Sequence, residues 1–244
     1  MTAETAIAYY KRGNAYRDMD KASEAVDNYT QAIHYDSSMT SAYLNRGITL
    51  RYLGQPQRAL EDLTTGIESN PQMASVWIER ALTYNGLDQY EQAVADYTQA
   101  IRILPTDGEA WAWRGMSHGH LEQWQQSWRD CEIGIRLGTR PSELAPVYTC
   151  TGRALARMND YVGAISEQDR SIELDATSAI TYQNRGWALE QTGRIEDALR
   201  DYDKGIELDP RDAWTHCQRA GVLEKLGRST EGKADQEYCS AEQN

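Results

Sequence analysis

The sequence predicts an all-α protein, a right-handed α-solenoid of about seven helix-turn-helix repeats. The first observation is a small residue, usually preceded by arginine, that returns along the whole chain. The second is a set of hydrophobic residues at fixed offsets from it. The small residues lie 34 positions apart, with a single interval of 37: Gly13, Gly47, Ala81, Gly115, Gly152, Gly186 and Ala220. Such a period is typical of stacked helical hairpins.

The first helix of each repeat is marked by an aromatic residue or histidine four positions before the small residue. These residues are Tyr9, Tyr43, Trp77, Trp111, Tyr148, Tyr182 and His216. Because four positions are close to one helical turn, this residue and the small residue share one face of the helix.

The second helix is marked by another small residue, twelve positions after the first, and by isoleucine twenty positions after it. The small residues are Ala25, Ala59, Ala93, Ser127, Ala164, Ala198 and Gly232, and the isoleucines are Ile33, Ile67, Ile101, Ile135, Ile172 and Ile206. Small residues let two helices approach closely, while aromatic and isoleucine side chains fill the space between repeats. Second helices are expected to end near Pro71, Pro105 and Pro210, because proline cannot continue the helical hydrogen bonds.

These residues resemble the tetratricopeptide repeat, and the resemblance extends from about residue 5 to residue 240. It implies a single solenoid over 1–244 whose last repeat caps the stack. The expected repeats are 6–39, 40–73, 74–107, 108–144, 145–178, 179–212 and 213–244. Cys131 and Gln168 stand at a position where other repeats carry tyrosine, so the fourth and fifth repeats are expected to pack less well.

Composition limits the classes of function. The chain has a formal net charge of −12 and no apolar run long enough to span a membrane, so we expect neither membrane insertion nor nucleic-acid binding. The first ten residues carry no secretory signal, and a cytoplasmic location is the expectation. Four cysteines without a C-x-x-C pair are expected to be reduced thiols, and no cofactor or metal is expected.

Arginine precedes the small residue in six repeats, at Arg12, Arg46, Arg80, Arg114, Arg185 and Arg219. An acidic residue follows the small residue by fifteen positions in six repeats, at Asp62, Asp96, Asp130, Glu167, Asp201 and Asp235. A constant separation of opposite charges favours a structural ion pair within each repeat over a row of binding arginines.

The first helices are expected to line the concave face, which the resemblance implies is the binding face. The predicted partner-binding residues are Tyr10, Asn14, Arg17, Leu44, Asn45, Ile48, Arg51, Ile78, Leu82, Trp113, Met116, Arg153, Asn184 and Trp187. Arg157 and Trp214 lie on the same predicted face. Aliphatic, aromatic and arginine side chains together are typical of protein contact sites, although any one of them could instead pack against the neighbouring helix.

The leading interpretation is a non-enzymatic scaffold or adaptor that holds a peptide or a partner protein in this groove. One alternative is a co-chaperone or targeting receptor that binds C-terminal carboxylates. Asn14 and Asn45 match two positions of the carboxylate clamp found in some tetratricopeptide proteins, whereas Tyr10 and Glu79 depart from it. A second alternative is a homo-oligomer formed through Trp187 and Trp214.

The interval of 37 residues predicts an irregularity between the fourth and fifth repeats. The segment from Leu137 to Pro146 reads as a longer connection that contains a turn and then a helix start.

Overall fold

The structure is a computed structural model that describes residues 2–241. These residues form fourteen α-helices, which confirms the all-helical repeat prediction. The helices are α1 (Thr2–Asp18), α2 (Ala22–Tyr35), α3 (Thr40–Tyr52), α4 (Pro56–Ser69), α5 (Ala74–Asn85), α6 (Tyr90–Ile103), α7 (Gly108–His120), α8 (Trp124–Leu137), α9 (Pro141–Arg157), α10 (Tyr161–Leu174), α11 (Ala179–Gln191), α12 (Ile195–Leu208), α13 (Ala213–Lys225) and α14 (Lys233–Ala241).

The chain divides into two compact units, one ending at Leu121 and the other beginning at Glu122. In the first unit α1 packs against α2, α3 against α4 and α5 against α6, and α7 packs against α6. In the second unit α8 packs against α9, and the helix pairs are α9 with α10, α11 with α12 and α13 with α14. Odd-numbered helices are the first helices of their repeats, and even-numbered helices are the second.

Tyrosine fills the centre of several hairpins. Tyr29, Tyr97 and Tyr202 are fully buried on second helices. A Cβ atom at Gly13 would lie 2.6 Å from the Tyr29 ring, and one at Gly186 would lie 2.9 Å from the Tyr202 ring. The small residue of the repeat is therefore required by the close approach of the tyrosine across the hairpin.

The predicted pairs of arginine with a carboxylate are seen in the second, third, sixth and seventh repeats. Arg46 donates from Nε and Nη2 to the Asp62 carboxylate at 2.7 and 2.6 Å. The equivalent pairs are Arg80 with Asp96, Arg185 with Asp201 and Arg219 with Asp235. In the first repeat Arg12 donates to Asn28 instead.

The same arginines also reach the preceding repeat, which the sequence analysis did not predict. Arg46 Nη1 donates to Thr30 Oγ1 at 2.9 Å, so one guanidinium joins α3 to both α4 and α2. The corresponding bonds are Arg80 to Thr64, Arg114 to Thr98, Arg185 to Asp169 and Arg219 to Asp203. Arg46, Arg80, Arg185 and Arg219 therefore each join two consecutive hairpins as well as the two helices of one hairpin.

The predicted turn followed by a helix start is confirmed, but the predicted longer connection between the fourth and fifth repeats is wrong. Only residues 138–140 separate α8 from α9, and the additional residues extend α9 to 17 residues. Gly138 ends α8 in the left-handed conformation, with φ of 92°, and Pro141 begins α9. Proline at a first helical position has its φ already set for the helix, so the inserted residues become helix rather than loop.

The expectation of four reduced cysteines is also wrong. Cys217 on α13 and Cys239 on α14 form a disulfide with a Cα–Cα distance of 5.4 Å. This pairing could not be predicted from the sequence, because the two cysteines lie on different helices, 22 residues apart. Since disulfides are typical of oxidising compartments, this bond weighs against the expected cytoplasmic location.

Candidate functional site

The predicted polar residues of the first unit bond to one another. Asn45 Nδ2 donates to Asn14 Oδ1 at 2.8 Å and to the Tyr10 hydroxyl at 3.1 Å. The Tyr29 hydroxyl also donates to Asn14 Oδ1, at 2.8 Å, and burial raises the pKa of Tyr29. The two asparagines that match the clamp positions are therefore engaged in a network that joins α1, α2 and α3.

The predicted arginines of the first unit have acidic neighbours. Arg51 Nη2 donates to Glu79 Oε2 at 2.9 Å, which joins α3 to α5. Arg17 pairs with the adjacent Asp18 at 3.1 Å and lines a cleft of about 300 Å³ together with Tyr52, whose side chain is exposed. A partner's carboxylate at either arginine would have to compete with the carboxylate already present.

The predicted apolar residues of the first unit contribute to packing. Leu44, predicted as a partner-binding residue, belongs to a buried core cluster, so its side chain packs inside the unit. Ile48 packs partly buried against the same cluster. Ile78, Leu82 and Trp113 pack against a second cluster around Tyr97, and Met116 on α7 is half-buried.

A cleft of about 140 Å³ opens on the first helices of the second unit. Helix α9 contributes Arg153 and Arg157, α11 contributes Asn184 and Trp187, and α13 contributes Trp214 and Gln218. We call this the basic cleft. The structure thus brings together Arg153, Asn184 and Trp187, three of the predicted site residues, on one face of the second unit.

The two arginines of the basic cleft lie against aromatic rings, as the repeat arginines Arg46, Arg80 and Arg185 also do, and differ from the repeat arginines in their charge partners. Their guanidinium groups lie over aromatic rings: Arg157 is 5.2 Å from the Trp187 ring centre and 5.6 Å from that of Trp124, and Arg153 is 5.8 Å from that of Trp124. Within residues 2–241 neither of them pairs with a carboxylate. Two positive charges without acidic partners therefore face the cleft in a chain whose formal net charge is −12.

Asn184 supplies a hydrogen-bond donor to the same cleft. Its Nδ2 atom is buried and has no hydrogen-bond partner among the described residues. A buried polar atom without a partner costs about 1 to 3 kcal/mol, so a ligand oxygen that accepts from it would recover free energy.

Tryptophan forms the walls of the basic cleft. Trp214 is 44% exposed and contacts the buried Tyr202 edge to face, with ring centres 6.2 Å apart. Trp187 is held edge to face by Tyr161 at 5.9 Å. Trp124 does not line the cleft but packs against both of its arginines. It was not predicted because it begins a second helix, α8, whereas the predicted binding face lies on first helices.

Residues 2–241 show neither a metal site nor a membrane-spanning helix. No group of three or more histidine, cysteine, aspartate or glutamate side chains is placed to hold a metal ion. No described helix is long and apolar enough to cross a membrane.

Comparison with solved structures places this architecture among known helical repeat proteins. The chain superimposes on YrrB, described as a tetratricopeptide repeat protein with an unusual peptide-binding site, with a TM-score of 0.66 at 21% identity, covering 78% of this chain and 97% of that one. A tetratricopeptide repeat protein from Parabacteroides merdae gives a TM-score of 0.70 at 16% identity, covering 98% of this chain and 93% of that one. At these identities, the two comparisons show that the chain shares the fold of these proteins.

The APC/C hetero-tetramer Cut9-Hcn1 gives a TM-score of 0.74 at 14% identity. The match covers 90% of this chain and 43% of the other, so this chain spans less than half of that protein's length. No curated protein sequence matches significantly.

Family models extend the comparison to the sequence itself. Three models, each described as tetratricopeptide repeat, match residues 6–38, 44–108 and 179–212. Together these segments make up more than half of the chain. Proteins built from this repeat bind other proteins or peptides. The chain belongs to the tetratricopeptide repeat family.

Proposed function

We propose that the chain is a non-enzymatic interaction module that binds a partner protein through a carboxylate held in the basic cleft. The observation that carries the proposal is the convergence of Arg153, Arg157 and the unbonded Asn184 Nδ2 on one cleft. Among the described residues these three groups have no hydrogen-bond acceptor, and donors that face one space are what a carboxylate requires.

Charge supports this choice of ligand. Arg46, Arg80, Arg185 and Arg219 are each saturated by a carboxylate of the chain itself. Arg153 and Arg157 lack such a partner among the described residues. Their contacts with tryptophan faces hold the guanidinium planes in place while leaving the N–H groups free for a ligand.

The size of the basic cleft supports a side chain or a chain end rather than a small-molecule cofactor. Its volume of about 140 Å³ is below the 300 to 1,000 Å³ typical of small-molecule sites. Trp187 and Trp214 would contact the apolar stem of the bound residue, and tryptophan and arginine are the residues enriched at binding hot spots.

The carboxylate could come from an aspartate or glutamate side chain or from a C-terminus, and the second source would make the chain a receptor of the co-chaperone type. Self-association through Trp214 remains a separate alternative, which light scattering over a range of concentrations would detect. The predicted groove residues of the first unit, including Ile48, Ile78 and Trp113, stay a prediction, because their half-buried packing is compatible with either a structural or a binding role.

The proposal is tested by selecting short random peptides on the full-length protein. We expect the selected peptides to share an acidic residue at one position or a free C-terminus. Comparing amidated with free peptides separates these two sources. Replacing Arg153 and Arg157 together by glutamine should lower the affinity for a selected peptide at least about tenfold, because a hydrogen bond to a charged group contributes about 1.5 to 3 kcal/mol.

Arg136→Gln is the matched control. Arg136 lies on α8 of the same unit with its side chain 73% exposed, and it does not line the basic cleft. This variant should bind as the parent does. Selected peptides without any acidic preference, or equal binding by the double variant and the parent, would show that the basic cleft is not the site.

A further inference from the structure

Two thiols face each other at the start of the second unit. Cys131 on α8 and Cys150 on α9 have their sulfur atoms 3.0 Å apart, and Cys131 donates to Cys150. Both are buried, with Cys131 fully enclosed and Cys150 5% exposed. The Ser127 hydroxyl lies 3.3 Å from the Cys150 sulfur.

We propose that Cys131 and Cys150 form a second disulfide of this unit, made by exchange with a small-molecule disulfide such as oxidised glutathione. The geometry carries the proposal: the two cysteines lie on helices that pack against each other, and their sulfur atoms need to close by about 1 Å to reach bonding distance. Rotation about the Cα–Cβ bonds moves a sulfur atom through such a distance.

The surroundings determine which thiol reacts first. The hydrogen bond from Cys131 lowers the pKa of Cys150 against the opposing effect of burial, and Ser127 and Arg153 lower it further. The bond to Cys150 and burial together raise the pKa of Cys131. Cys150 is also the more exposed of the two, so it is the attacking thiolate.

The exchange takes place in two steps. The Cys150 thiolate attacks one sulfur of the small disulfide, which releases one small thiol and leaves a mixed disulfide on Cys150. Cys131 loses its proton to solvent and attacks the Cys150 sulfur, which forms the internal disulfide and releases the second small thiol. Two cysteine thiols are oxidised and one small disulfide is reduced to two thiols, so atoms and electrons balance.

The position of this bond connects it to the basic cleft. Helix α8 carries Trp124, and α9 carries the two arginines that pack on the Trp124 ring. A covalent link between α8 and α9 holds these two elements together. The existing Cys217–Cys239 bond acts on another pair of helices, α13 and α14, so the two links are independent.

The experiment equilibrates the full-length protein with an oxidised and reduced glutathione buffer, both folded and during refolding from urea. Remaining thiols are alkylated after denaturation, and the cross-linked peptides are identified by mass spectrometry. We expect a peptide pair joined through Cys131 and Cys150 by at least one of the two routes. If both thiols are alkylated after both routes, while Cys217 and Cys239 are found linked, the proposal is wrong.

Cys131→Ser is the matched control, because it keeps Cys150 and removes its partner. Reduction should lower the melting temperature of the parent by about 5 to 10 °C more than it lowers that of the variant, since the parent then loses two links and the variant one. Equal shifts in the two proteins would contradict a link that stabilises the unit.

Discussion

Glu167 lacks the arginine that neutralises the acidic residue at the same position of other repeats. Thr151 stands in place of that arginine and donates its hydroxyl to the Val147 carbonyl within α9. Within residues 2–241, Glu167 Oε2 is therefore buried without a hydrogen-bond partner, although Arg170 lies 3.2 Å from Oε1. Burial raises the pKa of Glu167; Arg170 opposes this effect and Glu132 adds to it.

Replacing Glu167 by glutamine should stabilise the protein at pH 7. A carboxyl group whose pKa is higher in the folded state than in the unfolded state destabilises the fold. The effect is complete above the folded-state pKa and disappears below the unfolded-state pKa, where the group is protonated in both states. The gain should be about 1 kcal/mol at pH 7, because glutamine removes the buried charge while keeping a polar atom at the same place, and it should fade as the pH falls to about 4. Urea unfolding at both pH values measures it.

Asp201→Asn provides the comparison for this experiment. Asp201 occupies the same position one repeat later and is paired with Arg185, so its replacement should lower stability at pH 7. A loss of stability at pH 7 in the Glu167→Gln protein would mean that the contact with Arg170 outweighs the effect of burial.

At the scale of helices, the periodic sequence was enough to predict the fourteen helices and the arginine pairs within hairpins. The second bond of each arginine could not be predicted, because its acceptor changes from Thr30 in one repeat to Asp169 in another. A change in the repeat interval gives the number of added residues but not their conformation, which is why the extension of α9 was interpreted as a loop.

The same limit applies to the candidate site. Arg153, Asn184 and Trp187 could be predicted together because a shared helical face is a property of spacing along the sequence. Leu44 lies on that face but is buried by its neighbours, and whether a side chain on a helix face is covered depends on the packing of other helices. The disulfide and the contribution of Trp124 depend on contacts between helices in the same way.

The two bonds of Arg46 can be separated by mutation. Arg46→Ala and Asp62→Ala should each cost about 1 to 3 kcal/mol, because each change leaves a half-buried charged partner without its counter-ion. The double variant should lose less than the sum of the two, by at least about 0.5 kcal/mol. Chemical unfolding of the four proteins gives the coupling, and strictly additive losses would contradict the pairing.

Thr30→Ala tests the bond between hairpins. It removes the hydrogen bond from Arg46 and also the bond that the exposed Thr30 hydroxyl donates to the Val26 carbonyl, so a loss of about 0.5 to 1 kcal/mol is expected. Arg46→Ala should abolish the part of this loss that comes from the Arg46 bond. If Thr30→Ala has the same effect with and without Arg46, the arginine does not join the two hairpins energetically.

At the scale of the whole molecule, the two units differ in their covalent chemistry. All four cysteines, and therefore the Cys217–Cys239 bond and the close pair of Cys131 and Cys150, belong to the second unit. The first unit is held by packing, hydrogen bonds and ion pairs alone. It nevertheless contains three complete helix pairs and α7, and about three repeats are enough for a stable array.

We therefore expect residues 1–121 and 122–244 to fold as separate fragments and to respond differently to a reducing agent. Dithiothreitol should leave the melting temperature of fragment 1–121 unchanged, because that fragment contains no cysteine. It should lower that of fragment 122–244 by several degrees, because a disulfide that joins residues 22 positions apart stabilises by about 3 kcal/mol. Circular dichroism during heating measures both. A random-coil spectrum for either fragment before heating would show that this unit needs the rest of the chain to fold, and an equal response of the two fragments to the reducing agent would show that the disulfide contributes nothing to stability.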